Sequence, residues 1–214
     1  MKIKICGLMS RHDVALCESL DAHILGFVVE YPREVPWNLT RGQAKPLIDT
    51  ARHPTCIVTG GTTENILSLA QELKPDMVQL HYKETVAQTA EIAKQLATFG
   101  IQTLKAVAAC PVDGESDIDA LCETDIAAIL VDTRTSENAA QNSLAIDTDL
   151  FNRIKARSTK PLIIAGGITP ENVSDIISRT GATWIDVLTG VERSPGVKDR
   201  AKIEALVKKA KLFI

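Results

Sequence analysis

A chain of 214 residues with a formal charge of −3, 45% hydrophobic and only 4% aromatic, suits one globular domain with an aliphatic core. No apolar run approaches the roughly 18 residues that a membrane span requires, and mild acidity without a basic cluster argues against a nucleic-acid partner. The five cysteines (6, 17, 56, 110 and 122) are odd in number and form no CxxC or metal-type spacing. Neither a disulfide framework nor a metal site is expected, and a reducing cytoplasm suits them. The chain opens directly on a strand, with no signal-peptide pattern.

Taken in order, Lys2-Ile3-Lys4-Ile5-Cys6-Gly7 reads as a strand that ends in a thiol and a glycine, followed by the helix-start signal Ser10-Arg11-His12-Asp13. Residues 10–21 read as an amphipathic helix with Val14, Leu16, Cys17 and Leu20 on its apolar face. A buried strand over 23–29 leads into the loop 30–39, and Thr40 caps a helix running to about Arg52. Strand 55–59 passes through Gly60-Gly61, read as turn and helix-entry glycines, into helix 63–73. Strand 76–81, helix 84–99, strand 101–107, helix 114–123 and strand 126–132 follow. Segment 133–147 shows no clear period and ends near Asp147 or Thr148, a cap for helix 149–157. Strand 161–165, a helix opened by Thr169-Pro170, strand 183–187 and helix 198–212 complete the chain.

Strand then helix, eight times, implies a parallel sheet with helices packed outside it. Eight units predict an α/β fold, a single (β/α)8 TIM barrel spanning residues 1–214. The competing open doubly wound sheet usually carries GxGxxG after its first strand, and Cys6-Gly7-Leu8-Met9-Ser10 lacks it. In a barrel the chemistry sits at the C-terminal lips of the strands. Cys6 and Asp132, each at such a lip, would then converge on one mouth as a base facing an acid.

Each candidate has a plain alternative. Free cysteines are usually small buried hydrophobes, so Cys6 reads as base, nucleophile or packing residue. Asp132, directly after Ile129-Leu130-Val131, needs a partner if buried; a cap or a pair with Arg134 competes with catalysis. His81 could titrate or donate to a substrate, or simply bond within the rim. Lys105 could reach the mouth, even as a Schiff-base lysine, or pair with Asp132. Gly166-Gly167 after the seventh strand and Thr189-Gly190 after the eighth occupy the positions where barrels often bind phosphate.

With these residues in place the chain resembles the phosphoribosylanthranilate isomerase family. The resemblance is carried by Lys4-Ile5-Cys6-Gly7, Gly26-Phe27-Val28, Val78-Gln79-Leu80-His81, Lys105-Ala106-Val107, Leu130-Val131-Asp132-Thr133, Ala165 to Val173, and Asp186-Val187 through Gly190-Val191-Glu192 to Pro195–Asp199. These run in the family's order over nearly the whole chain. The resemblance implies an isomerase barrel of tryptophan biosynthesis that performs an Amadori rearrangement without metal or organic cofactor. Asp132 would be the general acid that opens the furanose ring and Cys6 the general base at C2. Gly166, Gly167, Thr189 and Gly190 would hold the phosphate of a phosphorylated small-molecule substrate.

The sequence departs from the family at the other end of the substrate. Where the family's loop after strand two carries an arginine for the anthranilate carboxylate, this chain reads Tyr31-Pro32-Arg33-Glu34-Val35-Pro36-Trp37, so that arginine is missing or displaced to Arg33. The glycine-rich stretch and Phe-Asp-Trp after strand six are replaced by Ser136–Leu144, and Leu188-Thr189 stands where two serines are common. A differently shaped amine portion is therefore expected. Two other readings stay open: a phosphosugar epimerase or lyase using Lys105 or His81, and a barrel that binds a phosphorylated metabolite without turnover. No stripe marks an oligomer surface, so monomer and homodimer are both compatible.

Overall fold

A computed structural model describes residues 1–108, 114–133 and 146–213. Eight parallel strands close into a barrel in sequence order: β1 Lys2–Ile5, β2 Ile24–Val28, β3 Thr55–Thr59, β4 Met77–Leu80, β5 Gln102–Ala108, β6 Ala128–Asp132, β7 Leu162–Ala165 and β8 Trp184–Val187. Closure is made by β1 on β8, in register from Lys2 opposite Trp184 to Ile5 opposite Val187. The intervening helices are α1 Arg11–Ser19, α2 Arg41–Ile48, α3 Thr63–Leu73, α4 Val86–Thr98, α5 Gly114–Cys122, α6 Thr148–Arg157, α7 Val173–Thr180 and α8 Arg200–Lys211. The predicted segment 133–147 and Cys110 fall largely or wholly outside the described residues.

The core has two layers because strand side chains alternate between faces. Inside the barrel, Ile24, Cys56, Leu104, Ala106, Ala128, Leu130, Ile163, Ala165 and Trp184 pack together. The opposite faces of the strands, with Ile3, Ile5, Phe27, Ile57, Ile129 and Ile185, pack against the apolar stripes of the helices. The same period of two extends to the lips. Lys4 and Cys6, Gln79 and His81, Leu130 and Asp132, and Trp184 and Asp186 are each two residues apart, and the second member of each pair lines the cavity at the C-terminal mouth.

The helices start at this mouth, and side-chain caps fix several starts. Ser10, Thr40, Thr62, Thr85, Asp147 and Asp199 each accept a backbone N–H three residues on, and Thr40 and Thr85 complete capping boxes with Gln43 and Gln88. Of the two expected caps for α6, Asp147 is the one used. Several boundaries differ from expectation by a few residues. The second helix stops at Ile48 rather than near Arg52. The last begins at Arg200 rather than 198, because Val197-Lys198 pair antiparallel with Glu192–Ser194 as β10 and β9.

The loops after β7 and β8 touch at their backbones. A Cβ placed on Gly190 would lie 1.8 Å from the carbonyl oxygen of Ile168, and a main-chain atom cannot yield as a side-chain tip can. Gly190→Ala therefore has to push the two loops apart, at a cost of about 1–3 kcal/mol. A thermal melt is expected to show a Tm lower by about 2–4 °C for each kcal/mol lost; an unchanged Tm would mean that the two loops do not pack this way.

Candidate active site

A cavity of about 200 Å³ opens at the C-terminal mouth. Its lining includes Cys6, His81, Asp132, Gly166, Gly167, Thr189 and Gly190. Seven of the nine residues singled out from the sequence therefore share one cavity. The other two do not. Arg33 is exposed, with its guanidinium 5.5 Å from the ring centre of Tyr82. Lys105 is buried with its ammonium 2.8 Å from Glu84 Oε2. Leu104 and Ala106 take the inward positions of β5, which turns Lys105 outward. The expected alternative of a Lys105–Asp132 pair is replaced by the pair with Glu84, itself held by the amides of Gly61 and Tyr82. Asp132's structural alternative, Arg134, falls outside the described residues.

Below the cavity floor lies a buried charge that the sequence reading passed over. Lys4 is fully buried, and its Nζ donates to Asp186 Oδ2 at 2.9 Å and to Gln79 Oε1 at 3.0 Å. Burial opposes the ammonium, but Asp186 foremost, with Cys6 and Cys56, more than offsets it, so the pKa of Lys4 is raised and the charge is retained. Lys4 can only donate, so Gln79 must turn its oxygen to it and its amide NH₂ toward His81 Nδ1, 2.9 Å away. That fixes Nδ1 of His81 as the acceptor and leaves the proton on Nε2, 3.5 Å from Asp132 Oδ2. One chain of polar contacts thus runs from Asp186 through Lys4, Gln79 and His81 to Asp132.

Cys6 sits immediately beyond β1, 3% exposed. Burial pushes its thiol above the ordinary range; Lys4 is the largest opposing influence, and Asp186 adds to the rise. Gly26 on β2 makes room for it: a Cβ there would lie 2.9 Å from both Cα and Sγ of Cys6. Gly7 follows with φ +72° and packs on Leu188 and the indole of Trp37. On the far side, Gly166 and Gly167 have φ of +93° and +71°, a backbone that glycine adopts without strain. Asn172 pins that loop, accepting from the Thr169 amide at 2.8 Å and donating to the Gly167 carbonyl at 2.9 Å.

The mouth therefore holds a thiol after β1, a carboxylate at the end of β6 and two touching glycine loops after β7 and β8. A family model for N-(5'-phosphoribosyl)anthranilate (PRA) isomerase matches residues 3–209. The chain belongs to the PRA isomerase family. A curated relative, the N-(5'-phosphoribosyl)anthranilate isomerase of Cereibacter sphaeroides, is 34% identical, with 99% of each chain covered. Among solved structures, a phosphoribosyl anthranilate isomerase in complex with reduced 1-(o-carboxyphenylamino)-1-deoxyribulose 5-phosphate superposes with a TM-score of 0.82 at 27% identity, covering 99% of this chain and 98% of the other. Monomers of the dimeric enzyme from Thermotoga maritima give 0.83 at 27% identity over the same shares.

PRA isomerases are intramolecular oxidoreductases that carry out the Amadori rearrangement of tryptophan biosynthesis. In the loop after β2, Pro36-Trp37 brings an indole to the cavity wall, with Tyr31 and Val35 beside it. Asp186, Gln79 and Trp37 are among the lining residues to which sequence reasoning assigned no role. Their signal was present for the first two, as polar residues on the inward phase of a strand. Among the described residues no group of three or more His, Cys, Asp or Glu is arranged to hold a metal ion, and no helix is long and apolar enough to cross a membrane.

The raised thiol pKa has a chemical consequence. A pKa above the usual value means that Cys6 is mostly the neutral thiol at pH 7, and its thiolate grows in only as pH climbs past the ordinary cysteine range. Cys122 is partly exposed and its pKa is lowered: burial opposes ionisation, but hydrogen bonds from Thr159 foremost, with Ser158 and Lys160, outweigh it. Alkylation followed by site-resolved mass spectrometry is expected to label Cys122 readily at pH 7 and Cys6 slowly, with the Cys6 rate climbing through pH 9 and above. Rapid labelling of Cys6 at pH 7 would contradict this assignment.

Proposed function

We propose that this chain rearranges an N-(5-phosphoribosyl) amine, with anthranilate as the reference amine, to the 1-amino-1-deoxyribulose 5-phosphate, using Asp132 as general acid and Cys6 as general base. The observation that carries the reading is that both groups line one cavity together with Gly166, Gly167, Thr189 and Gly190. The glycine-loop amides hold the phosphate and so fix the sugar between the two side chains.

The chemistry divides between the walls. Protonated Asp132 gives its proton to the furanose oxygen as the amine lone pair opens the C1–O bond, which leaves a protonated Schiff base and an Asp132 carboxylate. The thiolate of Cys6 then takes the C2 proton. The electron pair of the C2–H bond moves into the C1–C2 bond, and the C=N pair returns to nitrogen, giving an enolamine. The Asp132 carboxylate takes the O2 proton and the Cys6 thiol protonates C1, which delivers the ketone and restores both groups. No electron leaves the substrate, so no redox partner is consumed. His81 Nε2–H orients the Asp132 carboxylate and stabilises it once the proton has gone. Asp186 Oδ1, buried at the cavity wall without a hydrogen-bond partner, accepts a sugar hydroxyl, since a buried carboxylate oxygen gains most from a donor that arrives with the substrate.

Lys4 lends its positive charge to the thiolate it lies beneath. Because the free thiol titrates above the ordinary range, kcat/KM is governed by a base that is mostly protonated at neutrality and gains ionisation only as pH climbs past the ordinary cysteine range. The cellular setting is the reducing cytoplasm that keeps Cys6 free, and the unit is a monomer or a homodimer.

Assayed on N-(5-phosphoribosyl)anthranilate, the wild-type chain is expected to turn over, and Cys6→Ala and Asp132→Asn each to lose about 10²–10⁴-fold in kcat. An active Cys6→Ala variant would remove Cys6 as the base. No wild-type turnover of any phosphoribosyl amine, with phosphate still bound, would favour a barrel that binds without reaction.

A further inference from the structure

The amine end of the cavity is built around an indole that cannot bond to a ligand through its polar atom. Trp37 Nε1–H donates to Glu192 Oε1 at 2.8 Å. The same oxygen accepts from Lys198 Nζ at 3.0 Å and from the Gly196 amide at 3.1 Å, while Lys202 Nζ donates to the Glu192 carbonyl at 2.6 Å. Glu192 and Lys198 are both buried. The β9–β10 hairpin exists where these contacts meet, so its fold and the placement of the indole are one arrangement.

With its N–H consumed, Trp37 offers the cavity only ring surface. It packs with Val28, Val58, Tyr31, Val35 and Leu188 on the side of Cys6. Among the described residues, two cations of neighbouring segments are engaged elsewhere: Lys198 by Glu192 and the Leu188 carbonyl, and Arg33 over Tyr82. Among the described residues no lysine or arginine lines the cavity. The position also fits the chemistry. The base beside Gly7 removes the proton from C2, and the amine hangs on C1, one bond away. A Cβ on Gly7 would sit 3.1 Å from Trp37 Cδ1, so the indole lies against the residue that follows the base.

We propose that Trp37, clamped by Glu192, is the specificity-determining residue for the amine half of the substrate, and that it selects a flat aromatic ring by stacking, with no charge pairing to a ring substituent. This rests on the phosphoribosyl amine reading above. A ring stacked on a fixed aromatic face gains from area and quadrupole geometry, whereas a carboxylate placed against this apolar wall gains nothing that water did not already supply. The active site therefore discriminates by shape where the arginine pattern would discriminate by charge.

The test uses binding, so it does not depend on turnover. The chain has two tryptophans, and Trp184 lies at the far end of the barrel with Lys2 over its ring at 4.8 Å. In Trp184→Phe, fluorescence reports on Trp37 alone. Two stable probes are titrated: reduced 1-(o-carboxyphenylamino)-1-deoxyribulose 5-phosphate and its phenylamino analogue without the carboxylate. Both are expected to quench Trp37, with dissociation constants within about threefold of each other. In the chain that keeps Trp184, Trp37→Ala is expected to weaken both by tenfold or more, measured by calorimetry. Trp37→Arg is expected to favour the carboxylate probe selectively.

A carboxylate probe that binds thirtyfold tighter than its analogue, or a Trp37→Ala variant of native Tm that binds both unchanged, would overturn the proposal. Failure of both probes to bind while ribose 5-phosphate binds would overturn it together with the phosphoribosyl amine reading. Binding as expected without turnover would sink the catalytic reading and leave Trp37's role standing.

Discussion

A single buried ammonium organises the mouth of this barrel. Lys4 has no route to water, and an isolated charge in that position would cost several kcal/mol after relaxation. It is tolerated because Asp186 and Gln79 meet it at hydrogen-bond distance from β8 and β4. Satisfying one lysine thus fixes the orientation of the Gln79 amide, and with it the tautomer of His81 and the proton that faces Asp132. The same lysine is the main influence that draws the Cys6 thiol back toward ionisation. Cys6 and Asp132 lie at the ends of strands five apart in the sequence order, yet one cation acts on the first by its charge and is linked to the second through Gln79 and His81.

That arrangement follows from strand periodicity more than from any single contact. Positions 4 and 6, 79 and 81, 130 and 132, and 184 and 186 each put one residue in the barrel's interior and the next inward residue at its lip. Polar residues appear where the interior meets the cavity, and aliphatic ones fill the layer below. Glycine supplies the remaining geometry. Gly26 leaves the space that Cys6 occupies, and Gly190 lets the loop after β8 rest against the backbone of the loop after β7. The second of these approaches holds the loops after β7 and β8 against each other without side chains between them.

Much of this was legible in the residues themselves. The alternation of strand and helix gave the closed barrel, and the lip positions gave Cys6, His81, Asp132 and the paired glycine loops. The strand of Lys105, taken alone, does not declare which phase faces inward, which leaves the mouth and a pair with Asp132 both open; Leu104 and Ala106 take that phase in the folded barrel, and Glu84, 21 residues earlier in the loop after β4, claims the ammonium. Trp37 and Glu192 are 155 residues apart, and no local pattern announces that one anchors the other. The two-residue strand at 197–198 is likewise too short to leave a periodic signal, so the last helix was read as starting there. What escaped the sequence was long-range pairing of polar groups; what it carried was the period of the backbone.

The central claim is that one wall opens the ring and the other removes the C2 proton. The primary deuterium isotope effect on kcat with substrate labelled at C2, compared between Asp132→Asn and Cys6→Ser, tests it most directly. Slowing the acid should make ring opening limiting, so the effect in Asp132→Asn should collapse toward unity. Weakening the base should leave C–H cleavage limiting, so the effect in Cys6→Ser should be fully expressed. Equal effects in the two variants, or the reverse order, would contradict the division of labour between Asp132 and Cys6.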